Sequence, residues 1–338
     1  LIQQNFTWTD NGDLLFQPGE LGTSSAPSLP PTAAQLSTRF ATSLKRPYRN
    51  EWTLGIDHEL APDLRVSATY IHRQEHDQLG NIDIGIPMSY YTPISVVDPG
   101  RDGVTGSADD GALTVFNENL PLLSSSLQLT NIAEIAQTFH GFELTATKRY
   151  RNRWTMVAGY TFGHTDIGCC TNESTNLTSP NSLINATGKS AIDRGHNFKL
   201  TGSYLLPYDI QLGGNLRYIS GQPITRVYAV PGLVQQTGGT LTVNAEPRGS
   251  DTLPSITTLD ARVGKVLHFR GQELEADMDI YNLTNNNSIY TVRTTTGTVS
   301  VTDYTSNTPV RIAQYGSPIG VLGPRIIRFG VTFKFGQR

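Results

Sequence analysis

The sequence contains no long apolar run, few charged residues and only two cysteines. A membrane-spanning helix needs roughly 20 consecutive apolar residues, and no stretch of the 338-residue sequence approaches that length. Charged residues make up 16%, and a net charge of -3 without a basic run argues against a general nucleic-acid binder. The two cysteines, Cys169 and Cys170, are adjacent, which excludes a disulfide scaffold that joins distant segments. A transmembrane β-barrel is still compatible with this composition. Its strands alternate apolar and polar residues, so their average hydropathy is like that of a soluble chain.

The strongest positive signal is alternation with a period of two residues, which is typical of β-strands. In the segment 51–60, Trp52, Leu54 and Ile56 alternate with polar or small residues, and a short Ala-Pro-Asp turn follows. Three further hairpins and one lone final strand repeat this pattern. The nine predicted strands are 51–60, 64–71, 142–147, 154–162, 198–204, 210–218, 259–263, 274–280 and 327–335.

The connections between these segments alternate in length. Within the hairpins they are a few residues long, whereas the segments 74–138, 164–193, 222–254 and 284–323 are long, polar and without a strand pattern. Short turns on one side and long loops on the other are characteristic of outer-membrane barrels. The predicted fold class is therefore all-β, an antiparallel transmembrane β-barrel with short periplasmic turns and long extracellular loops. A stack of β-sandwiches is the alternative.

Aromatic residues near the strand ends favour the barrel over the sandwich, because amphipathic rings gather at both membrane interfaces. The rings expected toward the outer surface are Trp52, Tyr70, Tyr160, Phe162 and Tyr218. Those expected toward the periplasm are Trp154, Tyr204, Phe333 and Phe335.

The strand count predicts how the chain is divided. Bacterial single-chain barrels have an even number of strands, and nine strands cannot close in that way. We therefore expect residues 1–48 to form an N-terminal segment in the extracellular loop region, and residues 49–338 to form the C-terminal part of a larger barrel. An alternative is that Phe6 and Trp8 belong to an additional strand of a small ten-stranded barrel.

Several short motifs resemble the barrel of TonB-dependent outer-membrane receptors, especially the Oar-like branch. The motifs are Asn50-Glu51-Trp52-Thr53-Leu54-Gly55, Phe139-His140-Gly141-Phe142-Glu143-Leu144, Asp193-Arg194-Gly195-His196-Asn197-Phe198, Tyr218-Ile219-Ser220-Gly221-Gln222-Pro223, Asp279-Ile280-Tyr281-Asn282-Leu283-Thr284-Asn285 and Gly323-Pro324-Arg325-Ile326-Ile327-Arg328-Phe329-Gly330. They occur in the order found in the family and extend from Asn50 to the C-terminus.

The resemblance implies a location in the outer membrane of a Gram-negative bacterium and energy-coupled uptake of an unidentified bulky substrate. TonB would be reached only through a plug region that these residues do not include. The ending resembles the terminal strand that the barrel-assembly machinery reads, although the aromatic residue is usually the last one there. The residues of this assembly signal are Ile327, Phe329, Val331, Phe333 and Phe335. A passive small barrel or a surface adhesin that binds partners through its long loops is the alternative function.

Enzymatic activity has little support in the sequence. No Ser/His/Asp triad, phosphate-binding loop or dinucleotide fingerprint occurs in a usable context. The segment 72–76, with sequence His-Arg-Gln-Glu-His, matches an inverted zinc-peptidase pattern, but that chemistry needs a helix. Here the motif follows a predicted strand, so we expect solvated loop histidines and no enzyme.

A calcium site in an extracellular loop is the one candidate metal site, and no cofactor is required. The candidate ligands are Asp98, Asp102, Asp109 and Asp110, which lie in a Gly-rich segment. Closely spaced carboxylates on such a backbone offer the oxygen ligands that calcium prefers. A flexible acidic loop without a metal is the alternative.

The polar strand faces form the remaining candidate functional surface. We expect their charged residues to point into the barrel lumen, where they can pair across strands, hold a plug domain or line a solute path. These residues are Arg65, Glu143, Lys199, Arg217, Asp260, Arg262, Asp277, Asp279 and Arg328.

For Cys169 and Cys170 the sequence leaves open a disulfide between neighbours or a pair of thiols, with oxidation favoured outside the cell.

Overall fold

The structure is a computed structural model, and it describes residues 6–9, 11–12, 17, 20–24, 38–170, 176–235, 240–269, 272–303 and 308–334. Its dominant feature is a set of nine long strands. Their bounds are Tyr48–Ala61 (β1), Leu64–His76 (β2), Gln137–Arg151 (β3), Trp154–Ile167 (β4), His196–Leu206 (β5), Ile210–Ile219 (β6), Ile256–Phe269 (β7), Gln272–Tyr281 (β8) and Ile326–Lys334 (β9).

Each of these strands pairs with its neighbours in the chain, and every pairing between them is antiparallel. A tenth, two-residue strand, Gly188–Lys189, pairs with the end of β4. The first and last strands, β1 and β9, do not pair with each other in the described part of the chain, so the sheet does not close there. The predicted antiparallel fold and its nine strands are confirmed, although most strands extend beyond the predicted bounds.

The pairing register gives the sheet two chemically different faces. Directly opposed residues in an antiparallel pair point to the same face, so a row can be followed from strand to strand. One such row is Ile56, Ala68, Leu144, Tyr160, Phe198 and Tyr218, and another is Leu212, Val263, Met278 and Phe329. Leu54 and Phe329 are each 76% exposed on this apolar face. A continuous exposed apolar surface of this kind is expected to contact lipid or another apolar partner.

The tight turns between paired strands depend on residues in the left-handed conformation. Asp63 has a φ of 69° between β1 and β2, and Asn152 has a φ of 54° between β3 and β4. The β5–β6 turn is the 3-10 segment Pro207–Asp209, in which Tyr208 has a φ of 66°. Asn and Asp tolerate this conformation better than most residues, which explains their place in such turns.

The long connections are not structureless, which corrects the expectation from the sequence. They form small hairpins and one four-stranded sheet. These lie at the end of the large sheet that is opposite the short turns. The paired segments are Tyr91–Asp98 with Gly111–Glu118, Val227–Pro231 with Thr240–Asn244, Ile289–Val292 with Pro318–Val321, Thr298–Asp303 with Thr308–Ala313, and Pro223–Ile224 with Asp251–Thr252. The four-stranded sheet contains Asn176–Leu177, Leu79–Asp83, Leu127–Asn131 and Thr38–Phe40. Short 3-10 segments are Met88–Tyr90, Ala133–Ile135 and Pro180–Leu183.

The buried apolar side chains of the described residues lie mainly in these loops rather than on the large sheet. Val115, Val230 and Val243 are fully buried in one cluster with Leu113 and Leu233. A second cluster joins Ile132 and Ile135 to the two cysteines. Since burial of apolar surface is the main stabilising contribution to folding, these clusters explain why the loops adopt defined structures. We call this folded set of loops the loop assembly.

The N-terminal segment does not add a strand to the large sheet in the described structure. Phe6–Trp8 is a strand, but it pairs with Leu21–Ser24. Thr38–Phe40 joins the loop assembly by parallel pairing with Leu127–Asn131. The ten-stranded alternative therefore finds no support in the observed pairing. Among the residues that the structure describes, no helix has the length and apolar character needed to cross a membrane.

A pair of arginine substitutions tests the two faces. Leu144 lies on the apolar face near the middle of β3, and Thr145 follows it on the polar face, opposite Gly159. A Cβ added at Gly159 would meet no atom within 4 Å, so the polar face has room there. We expect Leu144→Arg to destabilise the folded protein in lipid vesicles, reducing its free energy of unfolding by about 2–4 kcal/mol. Thr145→Arg is the matched control and should change it much less, and equal losses would contradict the assignment of faces. The measurement is urea-dependent folding followed by heat-modifiable gel mobility.

Candidate functional site

The nine charged residues predicted to face the lumen all lie on one face of the sheet. Glu143 is opposite Thr69 and Thr161, Lys199 is opposite Arg217, and Arg328 is opposite Asp279, and none of these residues lies in an apolar row. We call this surface the polar face. Its orientation toward a lumen stays a prediction, because it depends on how the sheet closes.

Ion pairs occupy the polar face near β7, β8 and β9. Arg262 lies 3.2 Å from an oxygen of Asp277 and 3.6 Å from an oxygen of Asp279. Arg328 binds the other oxygen of Asp279 at 2.5 Å. The side chains of Asp277 and Asp279 are largely buried, so each carboxylate depends on these cations. This part of the polar face is therefore internally neutralised.

A buried arginine connects three long connections of the loop assembly. Arg226 follows β6, and its guanidinium donates two hydrogen bonds to the oxygens of Asp98, at 2.7 and 2.6 Å. It also donates to Glu246 at 2.9 Å, to the carbonyl oxygen of Gly100 at 3.0 Å and to the hydroxyl of Thr296 at 2.9 Å. The Arg226 side chain is only 5% exposed. Two-pronged pairing of this kind fixes geometry as well as charge.

The outer edge of this network is formed by Arg101, which is more exposed. It donates to both oxygens of Glu246, at 3.1 and 3.0 Å, and to Asp251 at 3.2 Å. Burial alone would raise the pKa of Glu246, but hydrogen bonds from Arg101 and Arg226 hold it below its usual value. The Tyr315 hydroxyl donates to Asp251 at 3.0 Å. Burial and this bond raise the pKa of Tyr315 to about 12.

The four candidate calcium ligands have different partners in the structure. Asp98 is paired with Arg226, whereas Asp109 accepts from the Arg101 amide at 2.7 Å and from the Ser107 hydroxyl at 2.5 Å. Asp110 accepts from the Gly106 amide at 2.6 Å, and Asp102 from the Val104 amide at 2.8 Å. The bonds from Ser107 and Arg101 lower the pKa of Asp109 to about 2. In the part of the chain that the structure describes, no three His, Cys, Asp or Glu side chains are grouped to hold one metal ion. Calcium binding stays a prediction.

The two cysteines are joined to each other as a disulfide, one of the two states that the sequence left open. Both are fully buried and pack against Ile132 and Ile135. The guanidinium of Arg248 donates to the carbonyl oxygens of Cys169 and Cys170, at 3.4 and 2.6 Å. The disulfide therefore belongs to the packed interior of the loop assembly.

The zinc-peptidase pattern lies within strand β2, which corrects the expectation that it enters a loop. On a strand, His72 and His76 are about 13 Å apart, and Glu75 points to the opposite face. Glu75 pairs with Arg49 at 2.5 Å, and the His76 ring stacks on Tyr48 with centroids 4.8 Å apart. The two imidazoles therefore cannot bind one zinc ion in this arrangement.

The predicted assembly signal lies on the last strand. Four of its residues pair with apolar residues of β8, and Phe335 lies outside the described residues. The four pairs are Ile327 with Ile280, Phe329 with Met278, Val331 with Ala276 and Phe333 with Leu274. The pairing places the four residues on the apolar face, and their recognition by assembly machinery stays a prediction.

The sequence did not indicate Arg226, Glu246, Asp251, Thr296 or Tyr315 as site residues. They lie in connections without alternation, and no spacing relates them. The motif Gly221-Gln222-Pro223, which lies between the end of β6 and Arg226, is the nearest signal in the sequence.

Comparison with known proteins gives one family match. The sequence model of the family described as "Outer membrane beta barrel domain" matches residues 3–226, more than half of the chain. A comparison with curated proteins finds no sequence match.

Similar solved structures include outer-membrane receptors and transporters, and the chain spans about a third or less of the length of each. The transporter YddB from Escherichia coli is 14% identical with a TM-score of 0.46, and the match covers 89% of this chain and 35% of that protein. The ferripyoverdine receptor of Pseudomonas aeruginosa is 13% identical with a TM-score of 0.45, covering 86% and 27%. The ferric preacinetobactin receptor BauA from Acinetobacter baumannii is 14% identical with a TM-score of 0.43, covering 85% and 29%.

Substitution of Arg226 tests the loop assembly separately from the sheet. Arg226→Met leaves the Asp98 carboxylate buried without its cation, which typically costs about 3–5 kcal/mol. We expect faster hydrogen exchange in the loop strands Tyr91–Asp98 and Val227–Pro231, with unchanged exchange in β3 and β4. Mass spectrometry of the exchanged peptides measures both.

Arg151→Met is the matched control for this experiment. Arg151 pairs with Asp63 at 3.0 Å at the short-turn end of the sheet, away from the loop assembly, and the Arg151 side chain is exposed. Such pairs contribute about 1 kcal/mol or less. The control should leave exchange in the loop assembly unchanged. If Arg226→Met also leaves it unchanged, Arg226 does not hold the loops together.

Proposed function

The chain belongs to the outer membrane β-barrel domain family, and from this we propose that it is part of a TonB-dependent receptor that imports a bulky solute. It is a protein of the bacterial outer membrane. The proposal assigns the apolar face to lipid and the polar face to a water-filled interior. The loop assembly would then lie outside the cell, at the entrance of that interior.

The observation that carries the proposal is the open pairing edge on β1 and β9. Backbone groups in the hydrocarbon region must be hydrogen-bonded within the protein, so a membrane-spanning sheet cannot keep two open edges. In a meander of nine antiparallel strands, β1 and β9 run in the same direction, and bacterial single-chain barrels close with even strand numbers. We therefore propose that further strands complete the barrel. A larger barrel has a wider interior, which suits a bulky solute.

Energy coupling rests on the sequence motifs that resemble TonB-dependent receptors. In such receptors a plug region fills the interior and contacts TonB, and we propose that the full protein has both. Recognition of β9 by the barrel-assembly machinery is part of the same proposal, since the exposed row Ile327, Phe329 and Val331 resembles a terminal-strand signal. The Oar-like branch is likewise proposed on motifs alone.

The second candidate function is a passive barrel or surface adhesin. One observation favours it: the loops bury their own apolar clusters and are joined through Arg226, so they form a defined surface that can bind a partner. Both candidates are binding or transport functions, and we propose no catalytic role for the chain.

Comparison of three bacterial strains distinguishes these functions. The strains are the parent, one lacking the gene for this protein and one lacking TonB. Each is grown on a complex medium, and solutes removed from the medium are identified by mass spectrometry. We expect the parent to remove a set of bulky solutes that both mutants leave behind, because uptake needs the receptor and its energy source.

Other outcomes assign the alternatives. If the solutes remain only when this gene is absent, and TonB is not needed, the barrel is passive and energy coupling is wrong. If neither deletion changes the solutes but loss of the gene reduces attachment to surfaces, the protein is an adhesin. Restoring the gene on a plasmid is the control for secondary mutations.

A further inference from the structure

Three cations gather on the polar face where β5 and β6 approach the loop assembly. Lys199 in β5 and Arg217 in β6 are directly opposite in the pairing register, so their side chains leave the sheet on the same face. Arg194 lies just before β5, and burial together with the charge of Arg217 lowers the pKa of Arg194. Like charges placed directly opposite each other destabilise a strand pair. An anion bound between these side chains would relieve this repulsion.

No carboxylate among the described residues forms an ion pair with Lys199, Arg217 or Arg194. Several cations elsewhere on the polar face are paired with a carboxylate, and three of them, Arg65, Arg262 and Arg328, each pair with an aspartate. The three pairs are Arg65 with Asp57, Arg262 with Asp277 and Arg328 with Asp279.

Three carboxylates of this region have other partners or lie on a more distant strand. Asp193 lies 3.2 Å from the His164 ring. Asp260 accepts hydrogen bonds from Asn215 and from the Asn282 amide. Glu143 lies two strands away from β5, opposite Thr161. None of these three carboxylates therefore forms a direct ion pair with the cations.

A cavity of about 250 Å³ lies directly above the cations, on the side of the loop assembly. Its lining includes Phe139, Asp193, Arg194, Asn197 and Ile219, and the Asp193 carboxylate lies 3.2 Å from the His164 ring. Asn197 and Ile219 are each two residues along their strands from Lys199 and Arg217, so the cations lie about 7 Å below them on the same face. A solute in this cavity can contact Arg194 directly, and one that extends about 7 Å further along the sheet reaches Lys199 and Arg217, which do not line the cavity itself.

The aromatic part of the cavity depends on two glycines. A Cβ at Gly163 would lie 2.7 Å from Cε2 of Phe139, and one at Gly141 would lie 2.9 Å from its Cζ. The bare backbone at both positions therefore lets the Phe139 ring lie close against the sheet. Arg73, which is 5.7 Å from the ring centroid, is already paired with Glu51 at 2.8 Å. The cavity thus places an apolar aromatic surface beside the group of cations that form no ion pair.

A buried polar atom adds a further recognition element. Oδ1 of Asn197 is buried and accepts no hydrogen bond from any residue in the described ranges. Buried acceptors are usually satisfied, so a hydroxyl or N–H group of a bound solute would remove this defect.

We propose that this site binds an anionic solute, with its carboxylate or phosphate group at Lys199, Arg217 and Arg194 and its apolar part against Phe139. Charge-assisted hydrogen bonds to Lys and Arg are the strongest that such a group can make. The proposal names a substrate class for the polar face, and it rests on the proposed import function. A carboxylate from another part of the barrel interior is the competing occupant.

The test measures the reactivity of Lys199 in the intact protein, purified in detergent at low ionic strength. An amine-reactive ester modifies lysines, and mass spectrometry gives the rate at each position, with exposed Lys45 as the internal reference. The probes are benzoate, inorganic phosphate and neutral benzyl alcohol. We expect benzoate to slow modification of Lys199 severalfold and benzyl alcohol to leave it unchanged.

Phosphate, which has no apolar part, shows whether protection of Lys199 depends on the cations alone or also on Phe139. It also distinguishes a phosphate solute from a carboxylate solute. Weaker protection by phosphate than by benzoate supports a carboxylate solute with an apolar part on Phe139. Protection by phosphate as strong as by benzoate overturns the role of Phe139. If no anion protects Lys199, or if Lys199 is unreactive before any anion is added, the site is absent or already covered and the proposal is wrong.

Variants test the cations one at a time. Arg217→Gln should raise the benzoate concentration needed for half protection about tenfold, since a hydrogen bond to a charged group contributes roughly that much. Arg65→Gln removes a paired cation elsewhere on the same face and should have no effect. An equal effect of both would show a general response to charge and overturn the site.

This readout is independent of transport. Protection of Lys199 without TonB-dependent uptake would leave the anion site standing and refute the import function. TonB-dependent uptake without protection of Lys199 would support the import function and refute the anion site.

Discussion

Backbone hydrogen bonding within the sheet is the constraint on which the rest of this structure depends. A strand in the hydrocarbon region has no water to satisfy its amides, so each strand must pair fully with its neighbours. The nine-stranded meander meets this requirement at every internal pairing. The pairing fixes the register, and a slip of one residue would turn every apolar side chain to the wrong face. The apolar rows, the charged polar face and the placement of the long loops at one end all follow from that register.

Outside the membrane the stabilising interactions differ. The large sheet contributes few buried apolar side chains in the described residues, whereas the loop assembly contains two apolar clusters, a buried disulfide and the Arg226 network. Arg226 joins residues from three connections, so the loops are held to each other and not only to the strands that carry them. The polar face below them is neutralised near Arg262 and positively charged near Lys199. That contrast separates a structural region of the face from one suited to binding a solute.

The sequence predicted the long strands because their alternation is strong and repeated, and all nine are present. It underestimated their length at polar ends, where residues such as His72 and Glu75 continue a strand without an apolar pattern. The short loop strands escaped prediction because segments such as Val227–Pro231 are too brief for alternation to be recognised. Arg226 could not be predicted, since one arginine in a loop has no local pattern and its partners are far apart in the chain. The lack of carboxylate partners for Lys199 and Arg217 likewise depends on strand register.

The central claim is that one face of this sheet contacts lipid and the other contacts water. Spin labels placed singly at positions 142 to 147 of β3, in the intact protein in lipid vesicles, test it directly. We predict that labels at 142, 144 and 146 collide mainly with oxygen, which dissolves in lipid, and labels at 143, 145 and 147 mainly with a water-soluble nickel chelate. Uniform accessibility along these six positions, or alternation with the opposite phase, would contradict the account.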